Sequence, residues 1–405
     1  MRKKPILVAL GLTLTVLASL PTSASASDPI RDPARAESLE PPRPAPAAKR
    51  KNRIDTCDEL KQKIGKLKVD AGKKQAVCVD PAPPSEIKLP QPKADARSRS
   101  EAGALDIQPL PEWCIDAVDV WMTNRTEACM VEGAYLQIFE VPTGRLIGGI
   151  NYNVFNFAYT SPRLLTWAQQ QQVSVYAAWG QWSGTMISGV GDCSGDCTLA
   201  GGSFSPQLLK LNQTPAPGGE FFFDSTATTR GSIGWADTEI TSTFTNPTWV
   251  NPVEAASATP WSRVRCDHAF PGNSVPGCVI PDFDPTMTYS KSGPYPELAD
   301  HIADAQASGL PGAPDSDPLH RLTDPDLSQQ NRDTACPRSL PRPPGKSCDE
   351  YPMASTHEGA HTGNGDFSRR MIDETQNSNG GSDLNTFYYN NRVIENDAFY
   401  VSIIP

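Results

Sequence analysis

Ala134-Tyr135-Leu136-Gln137-Ile138-Phe139 sets apolar against polar side chains in alternation, the pattern of a strand that turns one face to a core. Val173-Ser174-Val175-Tyr176 and the run from Gly219 to Phe223 have the same texture, and Gly, Pro and Asn interrupt it at short intervals. From about Leu105 to Trp261 this predicts antiparallel strands in a sandwich-like or barrel-like middle domain (105–261). Trp121, Trp167, Trp179, Trp182 and Trp235 fall in this region. They read either as core or as a sugar-stacking platform on a surface, and burial is the commoner fate of large aromatics in an all-β core. No catalytic set stands out in the middle domain, and cell-surface contact is the role it is expected to play if it binds anything.

Outward toward the N-terminus, Arg2, Lys3 and Lys4 precede an apolar run from Ile6 to Leu20 and then Ala24-Ser25-Ala26. That is the three-part layout of a secretory signal peptide (1–26), and the run falls short of the roughly 20 residues of a transmembrane helix. No cysteine follows the run to accept a lipid, so release into the medium is expected rather than anchoring. Residues 27–54 are rich in Pro, Ala and charge and lack apolar periodicity, which predicts a disordered linker. Thr56-Cys57-Asp58-Glu59 has the form of a capping box, and Leu60, Ile64 and Leu67 follow at helical spacing, so 55–80 is expected to be a short basic helical segment stapled by Cys57 and Cys78. A Pro-rich linker (81–104) leads to the middle domain.

Ten cysteines in an exported chain point to disulfides, because the outside of the cell is oxidising. They fall into neighbouring pairs: Cys57 and Cys78, Cys114 and Cys129, Cys193 and Cys197, Cys266 and Cys278, Cys336 and Cys348. Each pair can close a local loop, although spacing alone leaves connectivity open, and Cys193 and Cys197 lie so close that each has an alternative in pairing elsewhere. Zinc-ligand spacing is absent.

Beyond Cys266 the texture changes again. Pro296-Glu297-Leu298 opens a helix with Leu298, Ile302 and Ala305 on one face and Gly309 as its stop. His301 lies between Glu297 and Asp304, and at that spacing a surface ion pair with either carboxylate is the expected role. Arg332, Cys336 and a Pro-rich loop then lead into Cys348-Asp349-Glu350-Tyr351-Pro352-Met353-Ala354, followed by Glu358-Gly359 and by Gln376, Asn377 and Asn379 before Gly380-Gly381. Adjacent carboxylates on an extended chain point to opposite faces, so only one of Asp349 and Glu350 is expected to look directly into a given pocket. Most Asp-Glu pairs are solvated surface. A flanking disulfide loop and an amide cluster some 28 residues on single this one out.

Tyr295-Pro296-Glu297 with His301-Ile302 and Asp304-Ala305, the Asp349 to Ala354 block, Glu358-Gly359, and Asn377 with Gly381-Ser382 together resemble the NucA/NucB secreted bacterial deoxyribonucleases. The resemblance covers 266–405 at most. It implies a small α+β nuclease domain akin to the ββα-metal (His-Me finger) nucleases, so that the whole chain would be a multidomain, disulfide-bonded protein, mainly antiparallel β. It further implies Asp349 where those nucleases carry a histidine, and Asn377 as the ligand of a divalent cation on a helix beginning near Ser382. Residues between Glu358 and Asn377 run longer than in short family members, which keeps Asn379 as a rival ligand.

The chemistry fits these residue types. Hydrolysing a phosphodiester requires taking a proton from water while charge builds on phosphoryl oxygens, and a hard divalent cation, Mg or Mn, bound by oxygens answers the second need. Asp349 is the expected base, Glu350 and Glu358 the carboxylates expected to raise its proton affinity, and Arg369, Arg370 and Arg392 the expected phosphate contacts. The partner is then extracellular DNA, read with little base specificity because no groove-reading element is visible. Charge distribution sits awkwardly with this. Residues 27–100 hold 17 Lys and Arg against 11 Asp and Glu, whereas 266–405 hold 9 against 20, so the lysine-rich N-terminal segment is the expected route to DNA. Two readings compete: a cell-surface or polysaccharide-binding protein with a degenerate or regulatory nuclease-like part, where intact Asp349, Glu350 and Asn377 oppose degeneracy, and a glycosidase, whose two carboxyls need a separation that neighbours on one strand do not offer.

Overall fold

The alternation at 134–139 belongs to a strand of 14 residues, Glu127–Glu140, inside a sheet of 13 strands. A computed structural model describes residues 40–45, 56–69, 72–89, 107–258 and 263–405, all within the compact unit Asp32–Pro405. The stretch expected to be a signal peptide (1–26) and most of the two expected linkers lie outside the described residues. In chain order the sheet holds β1 (Arg43–Pro44), β2 (Gln75–Pro81), β3 (Met122–Thr123), β4 (Glu127–Glu140), β5 (Arg145–Tyr159), β6 (Thr166–Gly180), β7 (Met186–Gly195), β8 (Cys197–Leu208), β9 (Gly218–Ser225), β10 (Ile233–Thr245), β11 (Val253–Ala258), β12 (Val264–Asp267) and β13 (Gly277–Val279). All its ladders are antiparallel, and the path runs β1-β3-β4-β5-β6-β9-β8-β7-β10-β12-β13, with β2 on β4 and β11 on β10.

The sheet folds over on itself. Phe244 of β10 meets Tyr152 of β5 with ring centroids 5.1 Å apart, and Val173, Val175, Phe221, Phe223 and Ile240 join them in one core. Outside β4–β6, Val131, Phe155, Phe157 and Tyr159 form a second layer under the turn at Glu112–Asp116. Because β4 and β5 are covered on both faces, their outward positions are apolar too, and the clean alternation is confined to parts of each strand. The tryptophans divide: Trp121 and Trp167 are buried, whereas Trp179 is 50% and Trp235 40% exposed.

Three local readings change. Thr56 makes no side-chain cap on α1 (Cys57–Lys63), and the first helical N–H, that of Cys57, goes to Asp80 Oδ1 at 3.0 Å. Residues 75–81 form β2, a full partner of β4 in which Val77 and Val79 are buried, instead of the end of a helical staple; β-branched residues flanking Cys78 favour the extended chain. Cys266 and Cys278 sit opposite each other on β12 and β13, which extend the large sheet beyond β10. All five neighbouring cysteine pairs are bonded.

The C-terminal region adds β14 (Thr286–Ser290), α2 (Pro296–Ala307), β15 (Leu319–His320), α3 (Pro325–Ala335), β16 (Lys346–Tyr351), β17 (Ser368–Asp373), α4 (Glu374–Asn390) and β18 (Ala398–Ile404). β18 lies between β14, to which it is parallel, and β15, while β16 and β17 form an antiparallel pair. Leu298, Ile302, Ile372, Leu384, Tyr388 and Phe399 make a separate core here.

Buried arginines join the two regions. Arg125 donates to Asp397 Oδ2 at 2.9 Å and to the carbonyls of Phe283 and Asn391. Arg265 also reaches Asp397, and Arg392 clasps Asp267 with two nitrogens, at 2.7 and 3.0 Å. Arg392 is therefore 1% exposed and no phosphate contact: a positive-φ turn at the end of α4 directs it inward. Among the described residues no helix is long and apolar enough to cross a membrane.

Candidate active site

β16 carries Asp349 and Glu350 out of the Cys336–Cys348 disulfide and ends at Tyr351. The buried Tyr351 pins that end: its hydroxyl donates to the Pro311 carbonyl at 2.7 Å and accepts from Gln306 Nε2 at 2.9 Å. Gly312, at φ +110°, comes so close that a Cβ there would lie 2.3 Å from that hydroxyl. β17 returns alongside, with Arg370 opposite Asp349 and Arg369 opposite Glu350. Asp373 then caps α4, its Oδ1 accepting from the N–H groups of Thr375 and Gln376.

The helix thus starts eight residues before Ser382, the expected position, and runs through Gly380-Gly381. Two glycines read in sequence as a break. Gly380 has a packing reason instead, since a Cβ there would lie 2.2 Å from Leu298 Cδ2, so α4 and α2 approach closely. The early start puts Asn377 in the first turns of α4. Its Nδ2 donates to Ser347 Oγ at 2.9 Å and to the Cys348 carbonyl at 3.2 Å, which leaves Oδ1 for another partner. Asn379, two residues on, is exposed and does not line the pocket, because positions two apart do not share a helix face.

Asp349, Glu350 and Asn377 border one pocket of about 310 Å³, its open mouth included, whose other walls are Tyr289, Leu298, Ile302, Met353, Gly381 and Leu384. Both carboxylates border it, contrary to the expectation that only one would, although both lie on the paired strand β16. Mostly apolar walls desolvate the acids. Burial raises the Asp349 carboxyl above its ordinary range, against a lowering hydrogen bond from His301. Glu350 is pushed up to about 7, by burial first and by the Asp349 charge second, while Arg332 pulls it down.

His301 is the residue that sequence reasoning misplaced. It is fully buried, with Nδ1 2.6 Å from Asp349 Oδ2 and Nε2 3.0 Å from Ser368 Oγ. It does not pair with Glu297, which holds Lys346 at 2.8 Å, or with Asp304, which holds Arg370 at 2.7 Å. A signal was present: 298, 301, 302 and 305 form one helical stripe, so His301 shares the apolar face. An ionised Asp349 only accepts, which sets the imidazole proton on Nδ1 and leaves Nε2 as acceptor for the Ser368 hydroxyl.

The remaining expected residues lie elsewhere. Glu358 does not line the pocket; its carboxylate accepts from the His320 backbone N–H at 2.9 Å and sits 2.8 Å from His320 Nδ1, tying β15 to the loop after β16. Arg370 is engaged by Asp304, and Arg369, exposed, donates to the Ala335 carbonyl at 3.0 Å. Asn331, buried on α3 and unremarked in the sequence, organises that loop: Nδ2 donates to the carbonyls of Ala354 and Thr356, and Oδ1 accepts from the N–H groups of His361 and Thr362. Gly359 is required beside it, since a Cβ there would lie 2.3 Å from Asn331 Nδ2.

Residues 317–402 match the family model Deoxyribonuclease NucA/NucB. No curated protein matches the chain. The NucA/NucB segment takes in β15, α3, β16, β17 and α4, hence Asp349, Glu350 and Asn377, but begins after α2. His301 and the apolar wall from Leu298 and Ile302 thus come from a helix outside the matched segment, brought to the pocket by packing.

Proposed function

We propose that this chain is a secreted, divalent-cation-dependent endonuclease that hydrolyses phosphodiester bonds of extracellular DNA with little sequence specificity. One observation carries the reading: Asp349, Glu350 and Asn377 converge on a single pocket inside the NucA/NucB segment. Two antiparallel strands followed by a helix packed on both, β16, β17 and α4, support kinship with the ββα-metal nucleases. Five disulfides support export.

The donor set fits a hard cation. Every polar side chain that Asp349, Glu350 and Asn377 bring to the pocket offers oxygen, and Asn377 has its amide nitrogen committed to β16. Among the described residues no three His, Cys, Asp or Glu side chains gather as a metal cage, which suits a magnesium-type site completed by water and substrate phosphate. Asn377 Oδ1 would hold the cation, with Glu350 beside it. When bound, the ion would neutralise charge developing on the phosphoryl oxygens.

Asp349 takes the proton of the attacking water. Its burial raises its affinity for that proton, and the His301 hydrogen bond to Oδ2 fixes the carboxylate at the edge of the pocket. His301 is thus a positioning residue, itself aimed by Ser368. Leu298, Ile302 and Leu384 keep bulk water from the acids.

Supercoiled plasmid incubated with the full chain and magnesium or manganese tests the reading. Nicking that stops on adding a chelator is the expected result, and intact plasmid under every cation would overturn it.

A further inference from the structure

Nine Lys and Arg residues lie between Cys266 and the C-terminus. Lys291, Lys346, Arg370 and Arg392 are ion-paired, and Arg321 stacks on the Tyr388 ring at 3.9 Å. Four are left: Arg332, Arg338, Arg342 and Arg369. All four are exposed, and among the described residues none has a carboxylate at ion-pairing distance. Asp333, the acid nearest in sequence, accepts from Gln329 Nε2 instead.

These four are gathered at one place. α3 ends at Ala335, and its last carbonyls carry the negative end of the helix dipole. Arg369 Nη1 donates to the Ala335 carbonyl at 3.0 Å and Arg342 Nη2 to the next one, Cys336, at 3.1 Å. Two guanidiniums from different segments are therefore held side by side by neutral partners that leave their charge intact. Arg332 is on the last turn of the same helix, near enough to Glu350 to lower its proton affinity, and Arg338 follows Cys336 by two residues. The Cys336–Cys348 disulfide ties the cluster to β16 one residue before Asp349, and Arg369 faces Glu350 across the strand pair.

We propose that Arg332, Arg338, Arg342 and Arg369 form the surface that grips the sugar-phosphate backbone of DNA beside the pocket, an assignment that rests on the nuclease reading above. Unpaired guanidiniums clustered together repel one another, and a phosphate ladder relieves that repulsion while matching their forked donors. It also accounts for an acidic domain handling a polyanion: at physiological salt charges act over about 8 Å, so the local cluster outweighs the net charge.

The test uses the full chain carrying Asp349→Ala, so that DNA survives, and follows binding of a labelled duplex by anisotropy between about 50 and 200 mM salt. Replacing all four arginines by Ala is expected to weaken binding at least about tenfold at the low end and to flatten the salt dependence by about 0.9 for each lost phosphate contact. Arg342→Lys restored alone should recover part of the slope, and Arg145→Ala, on the large sheet and paired with Glu140, should change nothing. Thermal melts establish that each variant is folded. Unchanged affinity and slope in the fourfold variant would overturn the proposal, as would tighter binding of duplex RNA. Plasmid nicking by the parent chain separates the two ideas: nicking with an arginine-independent slope sinks the surface alone, whereas an arginine-dependent slope without nicking sinks the nuclease reading and leaves the surface standing.

Discussion

At the junction between the large sheet and the C-terminal region, Arg392 meets Asp267 through two nitrogens and Arg125 and Arg265 share Asp397, with backbone carbonyls accepting further protons from all three. In the pocket, buried Asp349 and half-buried Glu350 lie beside each other with one histidine and, among the described residues, no cation at ion-pair distance. Both places remove charge from water. At the junction opposite charges adjoin, each of the two carboxylates being held by guanidiniums, three arginines to two aspartates. In the pocket burial, joined at Glu350 by the charge of Asp349, makes the acids hold their protons more tightly. Matched burial builds structure, whereas unmatched burial stores reactivity.

The sharpest way to break this contrast is Asp349→Ala, which should cut plasmid nicking by at least about a thousandfold while leaving the melting temperature within a few degrees. Normal activity in the variant would remove Asp349 as the base. Next in size comes Arg392→Met, which takes from buried Asp267 its two short charged hydrogen bonds and leaves it only Arg265 Nε at 3.5 Å; the change should cost about 3–5 kcal/mol in a denaturant titration. A loss below about 1 kcal/mol would mean that the junction is not a matched network.

Glu350→Gln probes the stored term in the opposite direction. The folded chain holds the Glu350 proton up to about 7, against 4.5 for the free side chain. The carboxyl therefore favours the fold most below pH 4.5, and that advantage is lost as pH rises through 7. With a chelator present, the glutamine variant should be more stable than the parent by on the order of 3 kcal/mol above pH 7, with the gap closing toward pH 4.5. A pH-independent difference would place Glu350 in solvent. The smallest effect expected is that of His301→Asn, about 10- to 100-fold in kcat with KM nearly constant. Loss of its hydrogen bond removes something that lowers the Asp349 carboxyl, so the acid limb of the rate profile should move to higher pH. An unmoved limb would reduce His301 to packing.

The two regions were unequally legible. In the large sheet, period-two alternation at 134–139 and 173–176 announced strands, and neighbouring cysteines announced their loops. β2 was missed because its apolar residues follow a helix and read as the tail of a staple. That matters for experiment: removing residues 27–100 to test the N-terminal lysines would also take β2 from beside β4, so Lys→Gln substitutions are the sound alternative. In the pocket, Asp349, Glu350 and Asn377 were legible as a motif, but their supports were not. His301 is 48 residues from Asp349 and Asn331 is 23 from Ala354, and no periodicity links such pairs.

By itself the sequence determined residue chemistry and local period: an antiparallel β architecture, local disulfides, the acidic pair and an amide 28 residues on. Those depend on dihedral preference and short loops, which act between near neighbours in the chain. Tertiary structure alone decided which charges are neutralised. It turned Arg392 inward to Asp267, engaged Arg370 with Asp304 and Glu358 with His320, laid His301 against Asp349, and left four arginines unpaired around the Cys336–Cys348 disulfide. The reason is that electrostatic pairing falls with distance in space and takes no account of distance along the chain.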